Sequence, residues 1–267
     1  MDMRNYNRPL PKSAVKQQSR RKYFTIIFIL AFVFFMFYTI GKLLKLNLND
    51  TSTYYRENVE INGNKLVPAK TILQICGFDN NNDTAVEIDM NQVSRKIMEL
   101  DFIKGVSITF RPPRILNITV EERQPVAFVY GRGLNLIDAQ GYLMPVPDKN
   151  ISWDFPLISG IKENLGNLGE PSKAKDIYLA LEIVNYLETE HPLLAGLISE
   201  INMSAEKYVE IFLVHGGAKI RTNKDTFYKE LYILKTYLAN YYDWYQLKKT
   251  EYIDLRFADQ IIVKTKA

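Results

Sequence analysis

Residues 105–111 (GVSITFR) alternate apolar and polar, which sets Val106, Ile108 and Phe110 on one face of a β-strand. After a break at Pro112 and Pro113, residues 115–121 (ILNITVE) alternate again, with Leu116, Ile118 and Val120 pointing one way. Upstream the period becomes helical. Val93, Ile97 and Leu100 recur at i, i+4 and i+7 behind an Asp89–Gln92 pair of capping-box type. An earlier helix opens at Pro68 and runs through Cys76, where Gly77 stops it. Residues 55–61 read as a strand, 62–64 (NGN) as a turn and 80–83 (NNND) as a loop. The order over 55–123 is β-α-α-β-β, two helices on one face of a three-stranded sheet, a small α+β module.

A second module follows over 124–264. Strands are predicted at 126–130, 134–138 and 142–145, separated by turns at 131–133 (GRG) and 139–141 (AQG). The glycine pair at 131–133 lies between strands and opens no helix, so it is a hairpin turn and not a phosphate cradle. Residues 171–189 form an amphipathic helix with Ile177, Ala180, Leu181, Val184 and Leu187 on one side, ended by His191 and Pro192. Residues 198–203, 208–214 and 218–221 read as strands, the last two joined at Gly216 and Gly217. Thr222 or Asn223 can cap a last helix reaching about residue 240, and 252–264 (YIDLRFADQIIVK) is the final strand region. The module is a mixed sheet with two or more helices.

The run at 23–40 (YFTIIFILAFVFFMFYTI) obeys neither period. Its eighteen residues carry no charge and, at about 1.5 Å each, span roughly 27 Å, close to the hydrocarbon thickness of a bilayer. Residues 41–46 (GKLLKL) can extend it, so a single N-terminal transmembrane helix is placed at 23–44 and a linker at 45–54. No small-x-small cleavage site follows, which favours a retained anchor over a cleaved signal peptide. Charge sharpens this. The chain of 267 residues has a net charge of +4, but residues 1–22 hold seven Lys or Arg against one Asp, while 47–267 carry a net −4. A polar basic tail before the apolar run keeps the N-terminus in the cytoplasm and sends the rest outside it. An acidic body does not suit nucleic acid.

Candidate chemistry is sparse. One Cys excludes a disulfide framework, and two His leave little for a metal centre. Cys76 is expected as a small buried side chain, and His191 and His215 as surface residues. Glu121, Glu122 and Arg123 read as a solvated strand end. Asp254 and Arg256 lie two apart on a strand, which predicts a structural ion pair. Asp138 and Asp148 have no paired-carboxylate spacing. Tyr237, Tyr241, Tyr242, Trp244 and Tyr245 cluster at the end of the last helix, as a core plug or as an exposed patch. No catalytic residue, metal site or cofactor loop is predicted.

The β-α-α-β-β order, the segment LDFIKGVSITFRPPRILNITVEERQPVAFV and its place after one anchor resemble the POTRA domain of the FtsQ/DivIB cell-division proteins. Residues 120–127 (VEERQPVA) resemble that family's junction to its β domain. Residues 136–147 (LIDAQGYLMPVP) and 155–160 (FPLISG) are similar to recurrent elements of that domain, and 253–257 (IDLRF) to its C-terminal signature. The resemblance implies a non-enzymatic scaffold of the divisome, essential for septum assembly and linking early and late division proteins. It would be a type II single-pass protein of the inner membrane at the septum, without cofactor and in contact with lipid through one helix. Its extracytoplasmic β domain would bind FtsB-like and FtsL-like proteins by strand addition at the final strand. The contacts carried over are Tyr252, Phe257, Ala258, Asp259, Gln260, Ile261 and Val263. Phe257 stands where the family often has Tyr, and Asp259 and Gln260 where small residues occur. The strand of Val106, Ile108 and Phe110 is a second recruitment candidate. Two other classes stay open: a membrane-anchored cell-envelope enzyme, and a POTRA-type chaperone or docking module. A large membrane barrel is disfavoured, because about 140 residues remain after the first module.

Overall fold

The computed structural model describes residues 27–42, 51–78, 85–112, 114–147, 151–214, 217–241, 244–258 and 260–266. The basic tail at 1–22, the start of the apolar run at 23–26, linker residues 45–50, the loop at 80–83, Pro113, Asp148, His215, Gly216, Tyr242 and Asp259 lie outside them. The chain divides into two compact units, one holding the residues up to Thr53 with Glu87–Asn91, the other Tyr54–Val86 with Gln92–Ala267.

In the first unit, residues 27–42 form helix α1, with nearly all its side chains exposed. No helix among the described residues is long and apolar enough to cross a membrane. Strand β1 (Thr51–Tyr54) pairs with β3 (Val86–Asp89) in a two-stranded sheet. Neither strand was expected. The segment TSTY is polar and falls in the linker that the sequence predicts, and both strands are only four residues long.

The second unit begins with a 3-10 turn at Arg56–Asn58, which replaces the first half of the strand predicted at 55–61. Strand β2 (Val59–Asn62) follows and turns at Gly63, whose φ of 84° and approach to the Val120 carbonyl leave no room for a Cβ. Helix α2 (Ala69–Ile75) starts behind Pro68, and α3 (Met90–Met98) starts behind Asp89, whose Oδ1 accepts the Asn91 N–H at 2.9 Å. Strands β4 (Ile103–Arg111) and β5 (Ile115–Glu122) pair antiparallel, and β2 pairs parallel to β5, giving the order β2-β5-β4. Leu116, Ile118 and Val120 are buried as the alternation requires. Cys76 is buried, and burial pushes its thiol up to about 11, so it packs as a small apolar group.

The next nine strands form one mixed sheet. They are β6 (Pro125–Tyr130), β7 (Leu134–Asp138), β8 (Leu143–Pro145), β9 (Leu157–Ser159), β10 (Ile198–Asn202), β11 (Tyr208–Leu213), β12 (Lys219–Asn223), β13 (Thr250–Asp254) and β14 (Ile262–Thr265). Their order is β14-β13-β12-β11-β10-β9-β6-β7-β8. Helices α4 (Lys175–Glu190), α5 (Pro192–Ala195), α6 (Phe227–Tyr241) and α7 (Trp244–Lys249) complete the module.

Several boundaries moved for identifiable reasons. The helix expected from 171 begins at Lys175, because residues 169–172 hydrogen-bond to 141–143 instead. Thr222 and Asn223 belong to β12 and cap nothing. They donate to the buried Glu230 carboxylate, and α6 starts at Phe227.

The strand end at 121–123 is corrected. Glu121 is exposed, but Glu122 and Arg123 are buried. The Glu122 carboxylate accepts the Leu66 and Val67 N–H groups, each at 2.8 Å, and Arg123 pairs with Asp138 at 3.0 Å. His191 is corrected as well: it is 4% exposed, its backbone closing α4 on Leu187 and its ring set edge-on to Tyr186.

Candidate docking edge

One file of side chains crosses six strands in register: Ile158, Ile201, Ile211, Ile220, Ile253 and Val263. The first five are 0–1% exposed, and Val263 packs partly on the core they form. Each buried Ile contributes about 1.5–3 kcal/mol, so this file fixes the register of β13 and β14. The adjacent file, on the opposite face, is Leu157, Glu200, Phe212, Lys219, Tyr252 and Lys264. It mixes charge with aromatic rings, with Lys219 5.1 Å from the Phe212 ring centre and Lys264 5.7 Å from that of Tyr252.

The two ends of the sheet differ. At β8 a strap covers the edge: Gly169 N–H donates to Leu143 O at 2.8 Å, Leu143 N–H to Glu170 O at 3.1 Å, and Ser172 N–H to Gly141 O at 2.8 Å. At the other end β14 is the last strand among the described residues, paired there only with β13. Lys266 donates its backbone N–H inward to Lys249 O at 2.7 Å. Because N–H groups alternate sides along a strand, Val263 and Thr265 present theirs outward.

The approach to β14 is anchored by Arg256. Its guanidinium donates two hydrogen bonds to Asp254, at 2.8 and 2.6 Å, and lies 4.3 Å from the Tyr208 ring centre. The predicted ion pair is therefore present. Burial pushes the Asp254 carboxyl up, but the hydrogen bonds and charge of Arg256 outweigh it and hold the group below the usual carboxylate range. A depressed folded value means the stabilisation is complete above the unfolded value and is lost as pH falls through the folded one. Asp254→Asn is expected to cost about 1.5–3 kcal/mol at pH 7. In thermal melts, its deficit should shrink as the pH drops below the carboxylate range; a constant deficit would refute the pair.

Of the residues carried over for docking, Tyr252 sits half-buried on β13, and Phe257, Ala258 and Gln260 are exposed in the turn. Val263 lies on the outward-donating register, Ile261 immediately precedes β14, and Asp259 falls outside the described residues. Phe257, Gln260 and Ile261 also line a pocket of about 240 Å³ with Glu230, Ile233 and Leu255. Thr265 was not among the expected contacts; only the pairing pattern exposes its N–H. Val106, Ile108 and Phe110 lie on β4, an edge of the other sheet, with Phe110 exposed. In the aromatic cluster Tyr245 is exposed and Tyr237 half-buried. The side chains of Tyr241 and Trp244 lie outside the described residues, like Tyr242. Among the described residues, no group of three or more His, Cys, Asp or Glu is placed to hold a metal ion.

Comparison with known proteins matches residues 56–123 to the family model for the POTRA domain, FtsQ-type. Residues 127–256 match the model for Cell division protein FtsQ/DivIB, C-terminal. A Cell division protein FtsQ from Geobacter sp. (strain M21) is 29% identical over 223 residues, 82% of this chain and 79% of that protein. Another, from Koribacter versatilis, is 26% identical over 78% of this chain, which spans 59% of the length of that protein. A Cell division protein DivIB from Clostridium acetobutylicum is 25% identical over 64% of this chain and 68% of its own.

Proposed function

Since the chain belongs to the FtsQ/DivIB family of cell-division proteins, we propose that it is a non-enzymatic divisome scaffold that gathers partners through its sheet edges. The observation that carries this reading is the asymmetry of the nine-stranded sheet, strapped at β8 and left as a terminal strand at β14. A partner strand laid along β14 would accept hydrogen bonds from Val263 and Thr265, and Phe257, Ala258, Gln260 and Ile261 would border its entry. Tyr252 and Lys264 would flank it from the charged face. The partners proposed are FtsB-like and FtsL-like division proteins. The β4 edge, with Val106, Ile108 and Phe110, is the second recruiting strand.

The same reading supplies the membrane topology. Residues 23–44 anchor the chain in the cytoplasmic membrane, the basic tail at 1–22 stays in the cytoplasm, and 55–123 and 124–264 stand outside it at the septum. The uncharged run and the flanking cations support this. The experiment is depletion together with capture. Cells depleted of the protein are expected to grow as filaments, and the full chain, solubilised from membranes, to retain the FtsB-like and FtsL-like proteins. Normal division on depletion, or their absence from the captured complex, would refute the reading.

A further inference from the structure

Strand β14 changes character along its length. Its start is apolar: Ile261 and Val263 pack partly on the core, Ile262 is 38% exposed, and Phe257 stands exposed in the turn before it. Its end is basic. Lys264 is exposed on the face opposite the core, and Lys266 follows the strand. The Lys266 N–H donates to Lys249 O, and its ammonium donates to Lys248 O at 3.3 Å. Lys248 and Lys249 close α7 and are exposed, so three lysines meet where β14 ends. This cationic end belongs to a body, residues 47–267, whose net charge is −4.

The register of the edge limits what can lie against it. The outward N–H groups belong to Val263 and Thr265, so Lys264 falls between them with its own backbone turned to β13. A strand added antiparallel therefore meets Lys264 in a non-hydrogen-bonded pair, where Cα atoms are about 4.5 Å apart and side chains lie closest. A second copy of this chain is a poor occupant. The alignment that uses both outward donors of each copy sets Lys264 directly against Lys264, and like charges so placed repel. An acidic residue at that position is attracted instead. One carboxylate of the chain competes for it: Glu251 Oε2 lies 2.8 Å from the Lys264 ammonium, with both side chains half-exposed.

We propose that β14 receives an acidic–apolar strand of a protein partner, added antiparallel, with a carboxylate facing Lys264 and an apolar side chain facing Ile262. Read from its N-terminal end, that strand brings carboxylates first, against the lysines at the end of β14. Apolar residues come next, against Val263 and Ile262. Parallel addition would pair the backbones slightly less well. The two halves act differently: the apolar half removes surface from water, and the charge pair fixes the register. A slip of two residues would set the carboxylate against Ile262, and a slip of one would turn it to the other face. This selectivity rests on the reading of β14 as the receiving edge, and adds to it the chemistry of what is received.

The test titrates the full chain, in lipid nanodiscs, with labelled peptides followed by fluorescence anisotropy. The first is Thr-Glu-Thr-Glu-Val-Val-Thr, blocked at both ends; the second carries Gln and the third Lys in place of both Glu. The Glu peptide is expected to bind about fivefold or more tightly than the Gln peptide, and the Lys peptide more weakly than either. Lys264→Glu should reverse the order of the Glu and Lys peptides, a swap that a merely structural lysine would not give. Glu251→Gln should tighten the Glu peptide, because it removes the competing carboxylate. Equal affinity of the Glu and Gln peptides for the wild type would overturn the proposal, as would the absence of saturable binding. So would tighter binding of the reversed sequence, Thr-Val-Val-Glu-Thr-Glu-Thr, which suits parallel addition. A concentration-dependent dimer that Thr265→Pro dissolves would overturn it too, because a second copy would then hold the edge. The wild-type comparison stands even where a substituted chain fails to fold. Filamentation and a captured complex without any peptide preference would refute only the acidic strand; normal division with the preference intact would refute only the divisome role.

Discussion

Thr265→Pro is expected to weaken capture of the partner strand proposed for β14 thirtyfold or more, while Thr265→Val leaves it within about twofold. The argument is confined to one N–H. Thr265 lies on β14, exposed, one residue before Lys266, whose own N–H is used inward on Lys249. Alternation therefore turns the Thr265 donor away from β13, toward an added strand. Proline removes that donor and leaves a partner carbonyl unpaired where the strands meet, a loss of roughly 2–4 kcal/mol. The fold itself should tolerate the change, since an edge strand accepts proline where its N–H faces outward. Valine keeps the N–H and the branched Cβ, so it separates backbone pairing from side-chain contact. Affinity of the purified full chain for the partner, measured for both variants, decides the matter. If proline binds as wild type does, the partner is not paired at β14; if valine fails as badly, side chains carry the contact.

Which parts of this edge were legible follows from where the interacting groups lie. β4 and β5 could be read because their alternation is local, and the two strands pair antiparallel. The Asp254–Arg256 pair was equally local, two residues apart. β1 and β3 escaped because four-residue strands give alternation too little length to stand out from a linker. Glu122, Arg123 and His191 were misjudged for a different reason. What makes their burial tolerable is distant in sequence: the Leu66 and Val67 amides for Glu122, Asp138 and Tyr142 for Arg123, and Tyr228 through Tyr186 for His191. A charge in a sequence looks solvated until its partner is placed beside it. The exposed N–H of Thr265 belongs to the same class, for it is defined by what β13 does not use.

The second large effect is expected at the buried charges between the two modules. Arg123 follows the last strand of the first sheet, where its N–H donates to Phe102 O at 2.8 Å. Its guanidinium reaches Asp138 at the end of β7 and stacks 3.4 Å from the Tyr142 ring centre. Asp138 is 2% exposed, and its other oxygen accepts the Gln140 and Tyr142 N–H groups at 3.0 and 2.8 Å. Arg123→Met preserves the length of the stem but leaves the Asp138 carboxylate buried without its cation, a loss of about 3–5 kcal/mol. Asp138→Asn strands the guanidinium in the same way, though its side-chain oxygen can still accept the turn amides. The double variant removes both charges, so its loss should fall well below the sum of the two single ones. Urea unfolding followed by tryptophan fluorescence supplies all three values. A loss under about 1 kcal/mol for Arg123→Met, or strict additivity in the double variant, would mean that this pair does not stabilise the fold as a unit. A large single loss with a recovered double identifies Arg123 and Asp138 as one coupled buried pair.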